Sequence, residues 1–277
     1  MNGNDGQLGQ IVTWRVPAQV TLTDLRAALA AAHLDEELAR DLHPRHVFSR
    51  ALRDMKAGRV ICRLQGSTED HVSFQITRQD AGLTEVVYER DAQVDMDLHT
   101  GAVTSDHAET ELRARDLVEA HTKKRLTSDL TRLVQQVFDC QRADLVPLRE
   151  QGGVYFVPDQ HKDLVEQVRT LLHEIKGRLN SFAIRLGCAD TAQSVADSLS
   201  EHLAGLIEEF RASCAEISVD SRGDAIARRE ARITELRRRL ECYRGLLGAY
   251  AVTIGEAITE AEQALLKKLL AGEPCAS

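Results

Sequence analysis

The sequence predicts an α+β fold, in which N-terminal helices and a small antiparallel sheet precede long helices that form an antiparallel bundle or coiled coil with a β-hairpin insert. Three observations predict it. Apolar residues Ile233, Leu236, Leu240, Tyr243, Leu247, Tyr250 and Ile254 recur at alternating steps of three and four, the seam of one helix lying lengthwise on another. Between Val60 and Leu98 the period changes to two, and turn residues such as Gly66-Ser67 and Ala81-Gly82 separate short β-rich runs. Only 4% of the chain is aromatic, which suits a helix-rich core filled by Ala, Leu and Val.

Residues 1–9 read as a loosely attached, polar N-terminus, and 10–106 as the α+β part. Gln10 to Val16 is strand-like and is stopped by Pro17, after which Thr21 or Thr23 can cap a helix carrying Leu25, Leu29 and Leu34. Short helices are expected from Asp35 to Leu42 and from Arg45 to Lys56, the second ended by Gly58. Val60 to Leu64, Val72 to Thr77, Thr84 to Glu89 and Gln93 to Leu98 then form an antiparallel meander, with the preceding helices covering its apolar face.

Residues 107–277 read as mainly helical. A long helical region is expected from Asp106 or His107 to about Cys140, exposed or frayed in its polar middle from Glu119 to Arg125. A hairpin follows near 144–157, where Leu145-Val146-Pro147-Leu148 and Val154-Tyr155-Phe156-Val157 flank Gly152-Gly153. Helices on Leu164 to Ile175 and on Val195 to Ile217 enclose a strand at Asn180 to Leu186. The last helix, 222–271, would extend about 75 Å at 1.5 Å per residue, more than the Thr191 to Ile217 helix can cover. Self-association through the seam follows from that arithmetic, unless Gly245, Gly248 or Gly255 breaks the helix. Beyond Ile254 the pattern gains four residues to Ile258 and continues through Ala261, Leu265 and Leu269, a stutter.

The segment Trp14-Arg15-Val16-Pro17 and the segment Tyr155-Phe156-Val157-Pro158 are each strand, proline and then helix. Either an old duplication or the common use of proline at a first helical turn explains the echo.

Composition narrows the function. A net charge of −8 argues against a protein that binds nucleic acid with its whole surface. The six cysteines stand singly without a CxxC pair, so neither a zinc module nor a disulfide framework is indicated, and a reducing cytoplasm is the expected setting. No apolar run reaches membrane-span length and no secretory h-region is present, so no membrane partner is expected.

Four sets of residues are candidate sites. Arg228, Arg229, Arg232, Arg237, Arg238 and Arg239 form a basic stripe that could hold a phosphate backbone with steep salt dependence, or could pair with carboxylates on neighbouring turns. Asp95, Asp97 and His99 alternate on a strand and could share a divalent cation, although Asp97 to Gly101 also reads as a tight turn. Arg149, Gly152 and Gly153 could cradle an anion. Ile233 to Ile254, the seam above, is the fourth. His43 and His46 flank Pro44 and suit a helix cap better than a ligand pair. No nucleophile elbow, thiol-protease context or cofactor-binding fingerprint is present, and no cofactor is expected. The expected function is a non-enzymatic interaction or scaffold protein, with a nucleic-acid accessory role and a metal-dependent enzyme as successive alternatives.

Overall fold

The computed structural model describes residues 7–55, 60–81, 86–149, 152–185, 189–215 and 223–271. Lys56, Gly58, Gly82, Thr84, Leu186, Ile217 and Arg222 lie outside them, as does the side chain of Leu269. In chain order the described elements are β1 (Gln7–Arg15), β2 (Gln19–Thr21), α1 (Leu22–Ala31), α2 (Pro44–Asp54), β3 (Val60–Ser67), β4 (His71–Ala81), β5 (Val86–Asp97), β6 (Val103–Ser105), α3 (Ala108–Thr122), β7 (Lys124–Leu126) and α4 (Thr127–Cys140). They continue with β8 (Val146–Pro147), β9 (Tyr155–Pro158), α5 (Lys162–Glu174), β10 (Arg178–Arg185), α6 (Ala189–Ala215), α7 (Gly223–Leu247) and α8 (Tyr250–Ala271). The fold is therefore mixed α+β, with three small antiparallel sheets among the described residues.

The chain groups into two compact units, one of Met1–Arg15, Phe138–Arg169 and Arg178–Ser277, the other of Val16–Val137 and Thr170–Gly177. This division differs from the boundary near 106 that the change of period suggests. Its cause is long-range strand pairing: β1 lies between β10 and β9 in the first unit, and residues 7–9 belong to that strand rather than to a loose terminus.

In the first unit the sheet runs β10-β1-β9-β8. Gly9 faces Pro158 across the ladder, and a Cβ there would stand 2.3 Å from the Val157 carbonyl oxygen and 2.7 Å from the Phe156 ring, so only glycine admits this approach. The Trp14 ring stacks on Tyr155 at 4.8 Å between centroids and 10° between planes; the two segments of the sequence echo are thus neighbours in one sheet. The β8–β9 pairing gives the expected hairpin.

The same unit contains α6, α7 and α8, each packed on the other two. Contacts run in opposite order along α7 and its neighbours: Arg232 reaches Glu209 and Arg229 reaches Ser213 on α6, while Arg237 reaches Glu262 and Leu240 packs by Gly255 on α8. Val195, Leu199, Leu203, Ile207 and Phe210 of α6 share one core with Ile233 to Leu247 of α7, Ile254 to Leu265 of α8, and Val146, Phe156 and Ile184 of the sheet. The expected single helix of 222–271 is not formed. It breaks at Gly248, whose φ of +53° is a left-handed conformation that costs a residue with a Cβ about 1–2 kcal/mol. Gly245 and Gly255 stay within the helices.

In the second unit Thr21 caps α1 by accepting the N–H of Asp24, and His43 caps α2 by accepting the N–H of Arg45, with Pro44 at the first helical position. The helix expected from Asp35 to Leu42 is only a 3-10 turn, Glu36–Leu38. The meander β3-β4-β5-β6 packs Val72, Ile76, Val94 and Met96 against Phe48 and Leu52 of α2, Met55 just beyond its end and Ala114 of α3. The two runs expected on either side of Arg90 are one strand, β5, with a register shift opposite Ile76/Thr77.

The long helix expected to about Cys140 divides at β7, which pairs with β2. Its polar middle is mixed: Glu119, Ala120, Thr122 and Lys123 are exposed as expected, whereas His121 and Arg125 are 2% and 3% exposed. Arg125 donates to the carbonyls of Thr122, Lys124 and Arg40, and His121 Nε2 lies 2.8 Å from Asp54 Oδ2. A buried guanidinium needs such acceptors to offset its desolvation, and here backbone carbonyls supply them.

Candidate functional site

Charged side chains gather where the segment after α4 meets α7, all within the first unit. Asp144 is buried. Tyr243 Oη donates to its Oδ2 at 2.9 Å, Arg239 Nε stands 3.1 Å from Oδ1, and Arg238 Nη2 stands 3.3 Å from Oδ2. Glu235 receives Arg238 through Nε at 2.8 Å and Nη2 at 2.6 Å, and Arg239 through Nε at 3.1 Å. The helix makes this possible, since residues three and four apart share one face.

The electrostatics follow from these contacts. The Arg238 hydrogen bonds, seconded by Arg239, hold the Glu235 carboxyl down to about 2 against the opposing effect of burial. Burial and then the Asp144 charge push the Tyr243 phenol far up. Burial raises Asp139, and burial lowers the nearby His161 and His202. The cleft beside the cluster has a volume of about 650 Å³, and its charged lining balances Arg142, Arg238 and Arg239 against Asp139, Asp144 and Glu235. An Asp144 carboxylate occupied by a phenol and two guanidiniums is a fastener: it ties the segment before the hairpin to α7.

The rest of the arginine stripe is engaged in the same unit. Arg228 donates to the Asp224 carbonyl, Arg229 to the carbonyls of Ser213 and Ala225, Arg232 to Glu209 at 2.6 Å, and Arg237 to Glu262. Four of the six, Arg232, Arg237, Arg238 and Arg239, are therefore ion-paired within the unit, while Arg228 and Arg229 are held by carbonyls. The break at Gly248 sets α8, with Glu256, Glu260 and Glu262, beside the basic stripe of α7.

The seam is spent within the chain. Ile233, Leu236, Leu240, Tyr243, Leu247 and Ile254 are buried, and Ile258, Ala261 and Leu265 continue the row. Tyr250 departs from it: the break at Gly248 rotates the register, Ala251 takes the buried place, and Tyr250 is 39% exposed with its hydroxyl on Asp197 at 2.9 Å.

Asp95, Asp97 and His99 do not converge. Asp97 Oδ1 accepts the N–H groups of His99 and Thr100 at 2.9 and 2.8 Å, which close the turn and lower its carboxyl pKa. His99 Nε2 lies 2.6 Å from Asp70, and Asp95 faces Gln93 and His71. Among the described residues no three His, Cys, Asp or Glu side chains are grouped to hold a metal ion. At the hairpin, Gly152 and Gly153 have φ of +69° and +85°, but the Gly152 N–H donates to the Arg149 carbonyl at 2.9 Å and so points into the turn rather than to an anion. His43 and His46 rings stand 6.0 Å apart with His43 acting as a cap.

The sequence reading missed Asp144 and Tyr243 as a pair, and missed Arg50 with Asp129, whose two N–H···O contacts are each 2.6 Å. These partners lie 99 and 79 residues apart, beyond any local spacing rule. A usable signal existed only for Tyr243, a polar-tipped residue at a seam position, which needs an acceptor when buried.

Among the described residues no helix is long and apolar enough to cross a membrane. No curated protein and no solved structure matches the chain. Residues 7–272 match a family of unknown function, DUF6744, and the chain belongs to that family.

Proposed function

We propose that this protein is an interaction or scaffold protein without chemistry of its own, built on a compact antiparallel three-helix bundle in its first unit. The observation that supports this reading is the closure of the charged clusters. Each arginine that the sequence offers to a phosphate backbone holds a carboxylate or carbonyl of its own unit, so the charged cluster around Asp144 fastens chain segments. The same packing buries the apolar seam inside one chain and removes the need for a second copy along it.

Light scattering at low and high salt, with and without a mixed nucleic-acid pool, tests the reading. The expected result is an unchanged monomer mass at both salt concentrations, with no nucleic acid co-eluting. Uptake of nucleic acid at low salt and release at high salt would overturn it in favour of a nucleic-acid accessory protein. Cross-linking of the full chain in its own cells, followed by mass spectrometry, is expected to return a protein partner in fixed proportion.

A further inference from the structure

We propose that the open edge of β10 is a docking site for an extended acidic segment of a partner protein, which adds a fifth strand to the sheet of the first unit; this rests on the interaction reading above. Among the described residues β10 pairs with β1 alone and ends the sheet order β10-β1-β9-β8. The opposite edge, β8, is two residues long, whereas β10 spans eight. An edge of that length is a template for another strand.

The ladder fixes which groups are open. Arg169 Nη1 donates to the Leu179 carbonyl at 3.2 Å and its Nη2 to Ser181 Oγ at 2.8 Å, so the main-chain groups of Leu179 face away from β1, and its carbonyl is already taken at that end of the edge. Alternation along an antiparallel strand then sends those of Ser181 and Ala183 to the same side. The other ladder agrees, because Pro158, which has no N–H, faces Gly9 rather than Gln10 or Val12, leaving Gly9, Ile11 and Thr13 to bond Ile184, Phe182 and Asn180.

Side chains at this edge supply the specificity. Phe182 is 63% exposed, although Ile184, on the same face by alternation, is buried in the core with Val195 and Leu199. Phe182 therefore stands where the helical cover of the sheet ends, and an apolar side chain opposite it would extend the core. Arg178 and Arg185 are both exposed, Arg15 faces Arg178 across the ladder, and the strand contains no acid. Two copies paired here would place four strand arginines on one ladder and no strand acid opposite them. An acidic segment is the complementary occupant. Antiparallel addition would set an acid opposite Arg185, an apolar residue three positions later opposite Phe182, and an acid four positions after that opposite Arg178.

The test is fluorescence anisotropy of the full-length chain with a labelled eight-residue peptide, acidic at positions one and eight, valine at four and threonine elsewhere. Saturable binding that weakens with salt is expected, and Ala183→Pro, which removes an outward N–H that the β1 ladder does not use, should weaken it by about tenfold or more. Phe182→Ser should act in the same direction. A peptide N-methylated at positions three and five repeats the test with the protein untouched, should Ala183→Pro fail to fold. Equal binding of the methylated peptide, or no binding of the parent peptide, would overturn the proposal. A dimer that Ala183→Pro dissociates would also overturn it, giving the edge to a second copy. If the peptide fails while the cross-linked partner is still recovered from the Ala183→Pro chain, only the edge assignment falls; loss of both results would remove the interaction reading as well.

Discussion

The phenolic hydroxyl of Tyr243 donates to Oδ2 of Asp144 at 2.9 Å, joining the buried seam of α7 to the segment that leads into the hairpin. Hydrogen bonds to a charged acceptor contribute about 1.5–3 kcal/mol. Tyr243→Phe keeps the ring and removes only the donor, so a loss in that range is expected by urea denaturation. Asp144→Ala should cost more, because it releases Tyr243, Arg238 and Arg239 together. A double-mutant cycle should show strong coupling between Tyr243 and Asp144; additive effects would mean that the contact contributes nothing.

Glu235 predicts the acid limb of stability. Its folded carboxyl is held at about 2, below the roughly 4.3 of an unfolded glutamate. The contribution is therefore fully present above about pH 4.3 and is lost as pH falls through about 2. The side chain is 36% exposed, so solvent screening limits the effect to about 1 kcal/mol. Glu235→Gln should lower the urea midpoint at neutral pH and flatten its fall between pH 4 and 2 by that amount. An unchanged acid slope would show that Arg238 and Arg239 do not hold the carboxylate in solution.

How much of this was legible follows from the range of each signal. The Thr21 cap, Pro44 at the start of α2, the hairpin at Val146 and Tyr155, and six of the seven seam positions rest on spacings of a few residues, and each was readable. The partners of β1 were not, because β9 and β10 lie far along the chain and share no local rule with it. Between Glu119 and Arg125 polarity was a sound guide to Glu119, Thr122 and Lys123, which are exposed, but not to Arg125, whose buried guanidinium is received by backbone carbonyls that leave no mark in the sequence. Of the candidate sites, the arginine stripe was visible as composition, but its acceptors Glu209, Glu262 and Asp144 became neighbours only through the fold.

Gly248 and Gly245 are expected to respond in opposite directions to alanine. Gly248 has φ of +53°, whereas Gly245 is helical, and nothing lies within 4 Å of a Cβ at either position. Sterics therefore do not decide the outcome, and backbone preference does. Gly248→Ala should destabilise by about 1–2 kcal/mol, and Gly245→Ala should stabilise by about 0.5–1 kcal/mol. Thermal melts of the two variants check the signs. Stabilisation by Gly248→Ala would mean that α7 and α8 run on as one helix in solution.

The Arg50–Asp129 pair in the second unit separates the cost of breaking a contact from its net worth. Both side chains are largely covered, and Asp129 also accepts the Leu126 N–H at 2.9 Å. Burial alone would raise the Asp129 carboxyl, but the Arg50 and Leu126 donors outweigh it and lower it, while Arg50 is raised in turn. Arg50→Met leaves a half-buried carboxylate short of its main partner, and a loss of about 3 kcal/mol is expected. Asp129→Leu strands the guanidinium and should cost a similar amount. The double variant places two apolar side chains together, so its loss should fall well below the sum of the single losses, by at least about 1 kcal/mol. Chemical denaturation of the four chains measures that difference directly. Strict additivity would mean that the two groups do not act as a pair, and that α2 and α4 are held by apolar contacts alone.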